Sequence, residues 1–319
     1  MDLSVGPQTA TGKAGLSYVI VTPARNEERF IEGTIRSVVA QTHVPKRWVI
    51  VSDGSTDRTD EIVKRYCAQH DWIQLVRTPE RKERHFAGKA MAFKAGYAEL
   101  QGLDYDCIAS LDADIEFDDG YFEFLLGKMA QDARLGVVGT PFREGDSMYD
   151  YRYVSIEHVS GACQVFRRAC FEEIGGYVPM KGGGIDHAAV LTARMKGWRT
   201  RTFTDKVTTH HREMGSAKHG LLRSKYNVGK LDYSLGGHPL WELFRCGYQM
   251  TKRPYVLGGI MIFLGYFGAV LSGRERPVSA ELMAFRHREQ MARLRRFLRH
   301  GRSQSGAGDA PVGTPSGEH

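Results

Sequence analysis

The stretch 106-DCIASLDADIEFDDG-120 decides the fold. An apolar run, CIASL, breaks abruptly into carboxylates at Asp112, Asp114 and Glu116, then Asp118 and Asp119. With the chain extended through DAD, side chains two apart point the same way. Asp112 and Asp114 then stand together at the end of a buried strand. Two like charges that close disfavour each other's ionisation unless something positive lies between them. The sequence therefore calls for a cation at this place.

Working outward from that strand, the first half alternates strand and helix. SYVIVT (17 to 22) leads through the turn PARNEE into a helical pattern, IEGTIRSVVAQ. RWVIVSD (47 to 53) is followed by the helix STDRTDEIVKRYCAQH, with Ser55 or Thr56 as its cap and acids in its first turn. WIQLVR (72 to 77), the helix GKAMAFKAGYAEL and the strand CIASLD complete the series. Such alternation predicts an α/β fold with a doubly wound, mostly parallel sheet flanked by helices. Ligands of such sheets bind beyond the carboxyl ends of the strands. PARNEE, DGSTD and DADIE each follow a strand directly, so all three belong to one edge. Asp118 or Asp119 is the expected cap of the helix YFEFLLGKM. The second half is less regular, running from LGVVGTPF through a polar-aromatic stretch to GACQVFRRACFEEIGGY and GGGIDHAAVLTARMKGWRTRTF, and reads as a strand, a short helix, a glycine-rich loop, a helix and a strand.

At 319 residues the chain has room for one large core or two modest ones. Its five cysteines, Cys67, Cys107, Cys163, Cys170 and Cys246, show no CxxC spacing, and apolar neighbours suit reduced core thiols in a cytosolic protein. Residues 1 to 15 lack an apolar stretch and read as a mobile leader, not a signal peptide. Residues 301 to 319 are rich in Gly, Ser and Pro and read as a disordered tail. The net charge of +7 is concentrated after about residue 194, ending in 286-RHREQMARLRRFLRHGR-302. A patch of this sign attracts phosphate-bearing partners or lipid headgroups. No nucleic-acid-binding signature accompanies it, so no nucleic acid partner is expected.

Residues 254 to 273, PYVLGGIMIFLGYFGAVLSG, carry no charge over twenty positions, enough to span a bilayer. Basic residues flank both ends, however, and a single span would place one cluster outside, against the positive-inside tendency. The segment reads as a hairpin or helix lying in the inner leaflet, anchored by the basic tail. A spanning helix and a helix buried in protein are the alternatives.

VTPARNEE, VSDGSTDRT, SLDAD and GGID, in this order, resemble the family-2 glycosyltransferases, which carry a GT-A nucleotide-sugar-binding fold. The likeness covers about residues 17 to 215, and implies a catalytic domain over 16–215 followed by a helical, apolar and basic extension over 216–300. The chemistry agrees. A nucleoside diphosphate leaving a sugar needs its charge neutralised, and a divalent ion held by carboxylates does this as a Lewis acid. Mg2+ and Mn2+ favour such oxygen ligands. Asp112 and Asp114 are thus similar to the family's D-x-D pair, Asp114 the more direct metal ligand.

The resemblance also assigns the neighbouring residues. It implies that Asp53 accepts a hydrogen bond from the nucleotide base, suiting uracil, thymine or guanine, and hence a UDP-, dTDP- or GDP-sugar donor. Thr22, Pro23, Arg25 and Glu27 form the first loop, with Glu27 bordering the nucleoside and Arg25 facing phosphate. Gly88, Lys89 and Ala90 follow the donor-pocket pattern, with Lys94 where asparagine is common; Lys89 either reaches the diphosphate or is solvated. Asp186, in 182-GGGIDHAAV-190, is the implied base that deprotonates the acceptor in an inverting displacement; Ile185 stands where glutamate is frequent. Asp186 can also cap the following helix. From 209-THHREMGSAKH-219, His211 or His210 completes the metal shell, His211 being the preferred ligand, with Arg212 and Lys218 facing phosphates.

Four rival readings separate on sequence. A sugar-phosphate nucleotidyltransferase would show a glycine- and arginine-rich phosphate loop, which PARNEE is not. A hydrolase with a Ser or Cys nucleophile would show GxSxG or a convincing Cys/His partnership, and this sequence has neither. A processive polysaccharide synthase would carry several spanning helices and a QxxRW-like motif. A non-catalytic nucleotide-sugar-binding protein or scaffold would have no use for the base Asp186. The expectation is a metal-dependent, inverting enzyme that adds one sugar to an acceptor, such as a lipid-linked glycan of surface polysaccharide assembly, at the cytoplasmic face of the inner membrane.

Overall fold

The computed structural model describes residues 15–79, 87–145, 147–148, 155–180, 182–211 and 220–305. The chain divides into two compact units, Met1–Glu213 and Met214–His319.

The first unit begins with β1 (Tyr18–Ala24), α1 (Ile31–Val39), β2 (Arg47–Asp53), α2 (Thr59–Cys67), β3 (Ile73–Thr78), α3 (Ala87–Ala98) and β4 (Cys107–Leu111). It continues with β5 (Ile115–Glu116), α4 (Tyr121–Gln131), β6 (Leu135–Gly139), β7 (Phe142–Glu144), β8 (Ser147–Met148) and β9 (Cys163–Arg167). Then come α5 (Arg168–Glu173), α6 (Ile185–Met195), β10 (Arg199–Thr202) and β11 (Thr208–His210). The main sheet has seven strands in the order β10-β6-β9-β4-β1-β2-β3. It is parallel except at β9, which runs against both β4 and β6. A second sheet, β5-β11-β7-β8, stands beside it.

Strand alternation shows why helices cover both faces. Tyr18, Ile20, Trp48 and Ile50 pack into one cluster with Ile31 and Ile35 of α1, Val63 of α2 and Phe122 of α4. Val19, Val21, Val49 and Val51 pack into another with Phe93 of α3, Phe171 of α5 and Val190 of α6. A strand buried on both sides has no polar face to alternate with, which is why VIV and VIV read as continuous apolar runs. Burying each of these side chains contributes about 1.5–3 kcal/mol. The described cysteines are all free, and burial pushes the thiols of Cys107, Cys163 and Cys170 up to about 12, where they stay protonated.

Three local expectations are corrected. The DAD segment is not extended: β4 stops at Leu111, and Asp112–Asp114 form a turn before β5. Neither Ser55 nor Thr56 caps α2; Asp57 accepts from the Thr59 amide at 3.0 Å and from its hydroxyl at 2.6 Å. Gly120, not an aspartate, holds the cap position of α4, and Asp118 instead bonds the Gly120 amide (3.1 Å) and Lys206 Nζ (2.6 Å).

The second unit contains α7 (Leu221–Ser234), α8 (Pro239–Met250), α9 (Leu257–Leu271) and α10 (Ala280–Ser305). Its last helix runs five residues into the segment expected to be disordered. Helices α7 and α9 pack so closely that a Cβ on Gly229 would strike the Ile262 carbonyl, and one on Gly265 the Tyr226 carbonyl. Gly259 and Gly265 of the apolar run therefore serve packing within the unit. The opposite side of α9 is exposed, including Leu257, Ile260, Phe263, Leu264 and Leu271. No described helix is long and apolar enough to cross a membrane. Inside the unit, Asp232 pairs with Arg286 (2.7 Å) and with Arg245. Glu242 is fully buried 3.8 Å from Arg245, and burial raises its carboxyl to about 8 against the opposing pull of Arg286.

Candidate active site

Because β1 to β4 are parallel, their carboxyl ends share one edge. The antiparallel β9 brings its amino end, with Gly161 and Ala162, to that same edge. The first loop and the DGST loop are woven together there. Asn26, at φ 55°, accepts from the Thr56 amide at 2.9 Å, while the Glu27 amide donates to Thr59 Oγ1 at 2.8 Å. Asparagine is among the few non-glycine residues that adopt a left-handed backbone, and here its side chain is held from across the edge by Thr56. Arg77 braces the DGST loop by pairing with Asp60 at 2.5 Å and donating to the Ser55 carbonyl at 3.0 Å.

Within this edge Asp53 is 7% exposed, accepts from Thr78 Oγ1 at 2.9 Å and lies 4.0 Å from Arg25 Nη1. Arg25, expected to face phosphate, is thus placed along Asp53. Glu27 is buried in the first loop. Thr22 is wholly buried and accepts from the Trp48 indole at 2.9 Å, so its hydroxyl supports the strand beneath the loop. Pro23, on β1, is half-buried.

The acid pair sits at the next strand end. The Asp112 amide donates to the Ala162 carbonyl at 2.9 Å, and the His211 amide to the Asp114 carbonyl at 3.0 Å, which anchors the turn on both sides. Ligand atoms of Asp112, Asp114 and His210 lie within 4.8 Å of one another. His210 Nε2 is 3.4 Å from Asp114 Oδ1, and its Nδ1 is 2.8 Å from Glu144 Oε1. A carboxylate on the far ring nitrogen orients an imidazole as a ligand. Two carboxylates and one such imidazole fit Mn2+ or Mg2+. His211, the preferred ligand from sequence, does not join them: it contacts Glu116 at 3.0 Å and stacks on Phe30. Successive residues leaving β11 point to opposite sides, and His210 has the side facing Asp114. Arg212 and Lys218 lie outside the described residues.

Lys89, in the first turn of α3, places Nζ 2.5 Å from Asp112 Oδ1 and 3.3 Å from the Gly161 carbonyl. A cation beside the acid pair is therefore supplied by the chain itself. Burial drives the Asp112 carboxyl upward, Lys89 opposes this and Asp114 adds to it. For Lys89 burial acts downward, but Asp112 and Asp186 outweigh it and the ammonium is raised. For His210 burial likewise acts downward, and its bonds to Asp114 and Glu144 turn the shift upward.

Asp186 is the second residue of α6; the cap position is Gly184, whose φ of 80° only glycine adopts readily. The Asp186 carboxylate fills the space a Gly161 side chain would take: a Cβ there would lie 2.8 Å from Asp186 Cγ. Gly161 thus lets Asp186, Lys89 and Asp112 meet. Sequence reading did not single out Gly161, Glu144 or Thr78. None stands in a motif with chemistry of its own, and each is brought in by a pairing across the sheets.

The family model for glycosyl transferase family 2 matches residues 19–184, more than half of the chain. The chain belongs to glycosyltransferase family 2. Among curated relatives, the probable glycosyltransferase YdaM of Bacillus subtilis is 27% identical over 59% of this chain and 49% of its own length. The poly-beta-1,6-N-acetyl-D-glucosamine synthase of Staphylococcus aureus is 30% identical over 46% of this chain and 33% of its own. The chain thus spans less than half the length of these relatives. Among solved structures, the mannosyltransferase PcManGT from Pyrobaculum calidifontis, in complex with GDP-Man and Mn2+, has a TM-score of 0.56 at 18% identity, covering 83% of this chain and 78% of that one. Staphylococcus aureus TarS 1–349 with UDP-GlcNAc has a TM-score of 0.52 at 14% identity, over 81% and 73%. The family-2 chain accordingly has the central sheet of GT-A glycosyltransferases.

Proposed function

We propose that this protein is an inverting, divalent-metal-dependent glycosyltransferase that moves one sugar from a nucleotide-diphosphate sugar to an acceptor hydroxyl. The observation that carries the reading is the convergence of Asp112, Asp114 and His210 with Lys89 and Asp186 at the edge where Asp53 also lies. Asp53 takes a hydrogen bond from the base, and Glu27 borders the nucleoside. Asp112, Asp114 and His210 hold Mn2+ or Mg2+, which when bound neutralises charge on the diphosphate. Asp186 accepts the acceptor's hydroxyl proton as that oxygen bonds to the anomeric carbon, and the carbon–oxygen bond to the diphosphate breaks with its electron pair leaving on the phosphate oxygen. Attack opposite the leaving group inverts the anomeric centre. The base partnering Asp53 is uracil, thymine or guanine; the solved relatives named above carry GDP-Man in one case and UDP-GlcNAc in the other.

The acceptor in this reading is a lipid-linked glycan of cell-surface polysaccharide assembly, met at the cytoplasmic face of the inner membrane. The apolar outer side of α9 supports this, with Leu271 89% and Leu257 52% exposed. Lys252 and Arg253 precede that helix, and Arg274 follows it. Basic residues at both ends of a 15-residue apolar helix suit one lying along an anionic surface.

The test is thermal stabilisation by UDP-, dTDP- and GDP-sugars, each with and without Mn2+. Stabilisation by one nucleotide class, dependent on the metal, is expected. Equal stabilisation without metal would refute metal dependence, and no response to any donor would refute nucleotide-sugar binding. Vesicle co-sedimentation of the full chain, compared with Leu264→Glu, tests the membrane reading, which fails if anionic vesicles retain both equally.

A further inference from the structure

The acids of the site are already matched before any ligand is considered. Asp112 is bonded to Lys89, and Asp114 faces His210, whose other nitrogen rests on Glu144. Lys89 has a second acceptor in the Gly161 carbonyl, so the ammonium is seated, not passing by. Its seat is on one of the three candidate metal ligands. A divalent ion arriving alone therefore has to share Asp112 with a fixed positive charge, and repulsion between the two weakens its hold.

A nucleoside diphosphate changes that balance. It brings negative oxygens of its own, and an ammonium on a flexible four-carbon stem is a point charge with three donors that can be redirected to them. From this geometry we infer that Lys89 is a placeholder counter-ion: it pairs with Asp112, weakens metal binding there, and releases the carboxylate when the diphosphate arrives. Metal and nucleotide are then taken up together, each tightening the other by the same factor, as linkage requires. This regulation rests on the metal-dependent reading given above, and Lys89 acts in it as a positioning residue for the metal ligands.

Equilibrium ultrafiltration of the full chain with Mn2+ tests it, counting the metal retained with protein in the absence and presence of UDP, dTDP or GDP. The wild type should retain Mn2+ weakly alone and at least about tenfold more tightly with the matching nucleotide, the size expected for one charge-assisted hydrogen bond. Lys89→Met should bind Mn2+ alone at least about tenfold more tightly than wild type, with the nucleotide effect reduced. Lys89→Arg, which keeps the cation, should restore weak binding, an outcome a merely structural role for Lys89 would not produce. Wild-type protein whose Mn2+ affinity is the same with and without nucleotide overturns the inference without any variant. So does a folded Lys89→Met protein with wild-type affinity. If no protein retains Mn2+ under any condition, the metal-dependent reading itself falls, and this inference with it; retained Mn2+ insensitive to Lys89 and to nucleotide sinks the inference alone.

Discussion

Replacing Gly161 by alanine adds a single methyl group where the structure has no room for one. A Cβ at that position lies 2.8 Å from Asp186 Cγ and 2.9 Å from Asp186 Cβ, with the carboxylate oxygen closer still. Ordinary contacts begin near 3.4 Å, so the Asp186 side chain must withdraw by roughly half an ångström to one ångström. Gly161 is not among the glycines at positive φ, so alanine fits its backbone and the cost falls on Asp186. A displacement of about 1 Å in a reacting group lowers rates by about a hundredfold. Gly161→Ala should therefore reduce kcat by about two orders of magnitude, while KM for the donor and the melting temperature change little. Initial rates at saturating donor, with thermal unfolding in parallel, measure both. Asp186→Asn should lose about 10²–10⁴. The double variant should be no slower than Asp186→Asn alone, because both changes disable the same group. Near wild-type kcat in Gly161→Ala, or losses that multiply in the double variant, would refute the placement of the base.

Three further outcomes follow from named contacts. Glu144→Gln should weaken Mn2+ retention by about 10- to 100-fold through loss of the carboxylate that orients His210, and His210→Ala should weaken it at least as much; ultrafiltration with the matching nucleotide measures both. Glu242→Gln should change stability with pH in a defined sense. The folded carboxyl at about 8 lies above its ordinary value of 4.5, so wild-type stability is fully present below pH 4.5 and is lost as pH rises toward 8. The melting-temperature gap in favour of the variant should widen across that window and then level, with a plateau on the order of 3–5 kcal/mol; a constant gap would show that Glu242 is ionised throughout. Gly229→Leu should cost about 3 kcal/mol or more, since its side chain would meet the Ile262 backbone, and unchanged unfolding of this variant would contradict the α7–α9 packing.

Which parts of this molecule the sequence disclosed depends on whether a short-range pattern exists to carry them. The parallel core was legible because VIV runs at 19–21 and 49–51 mark strands buried on both faces, and helices intervene. The edge followed, since any residue that ends a parallel strand arrives there. Asp53, Asp112 and Asp114 therefore needed no long-range information. His210 did. Choosing between His210 and His211 requires the phase of a three-residue strand, and that phase is set by pairing Thr209 with Glu116 and His210 with Ile115. Glu144 and Gly161 belong to the same class, reaching the site only through β7 and the antiparallel β9.

The cation demanded by Asp112 and Asp114 shows the limit of reading charge from sequence alone. Two neighbouring acids fix the sign of what must stand beside them, but not its identity. The structure supplies two answers at once: Lys89 on Asp112, and a His210 ligand set into which a divalent ion fits. Lys89 balances Asp112 from within the chain, and a carboxylate left unpaired at this half-buried position would destabilise the fold. As inferred from its seat on Asp112, the same ammonium would tie metal uptake to the arrival of phosphate. A substitution at Lys89 should then separate two effects of one ammonium: lower stability with tighter metal binding, in one protein.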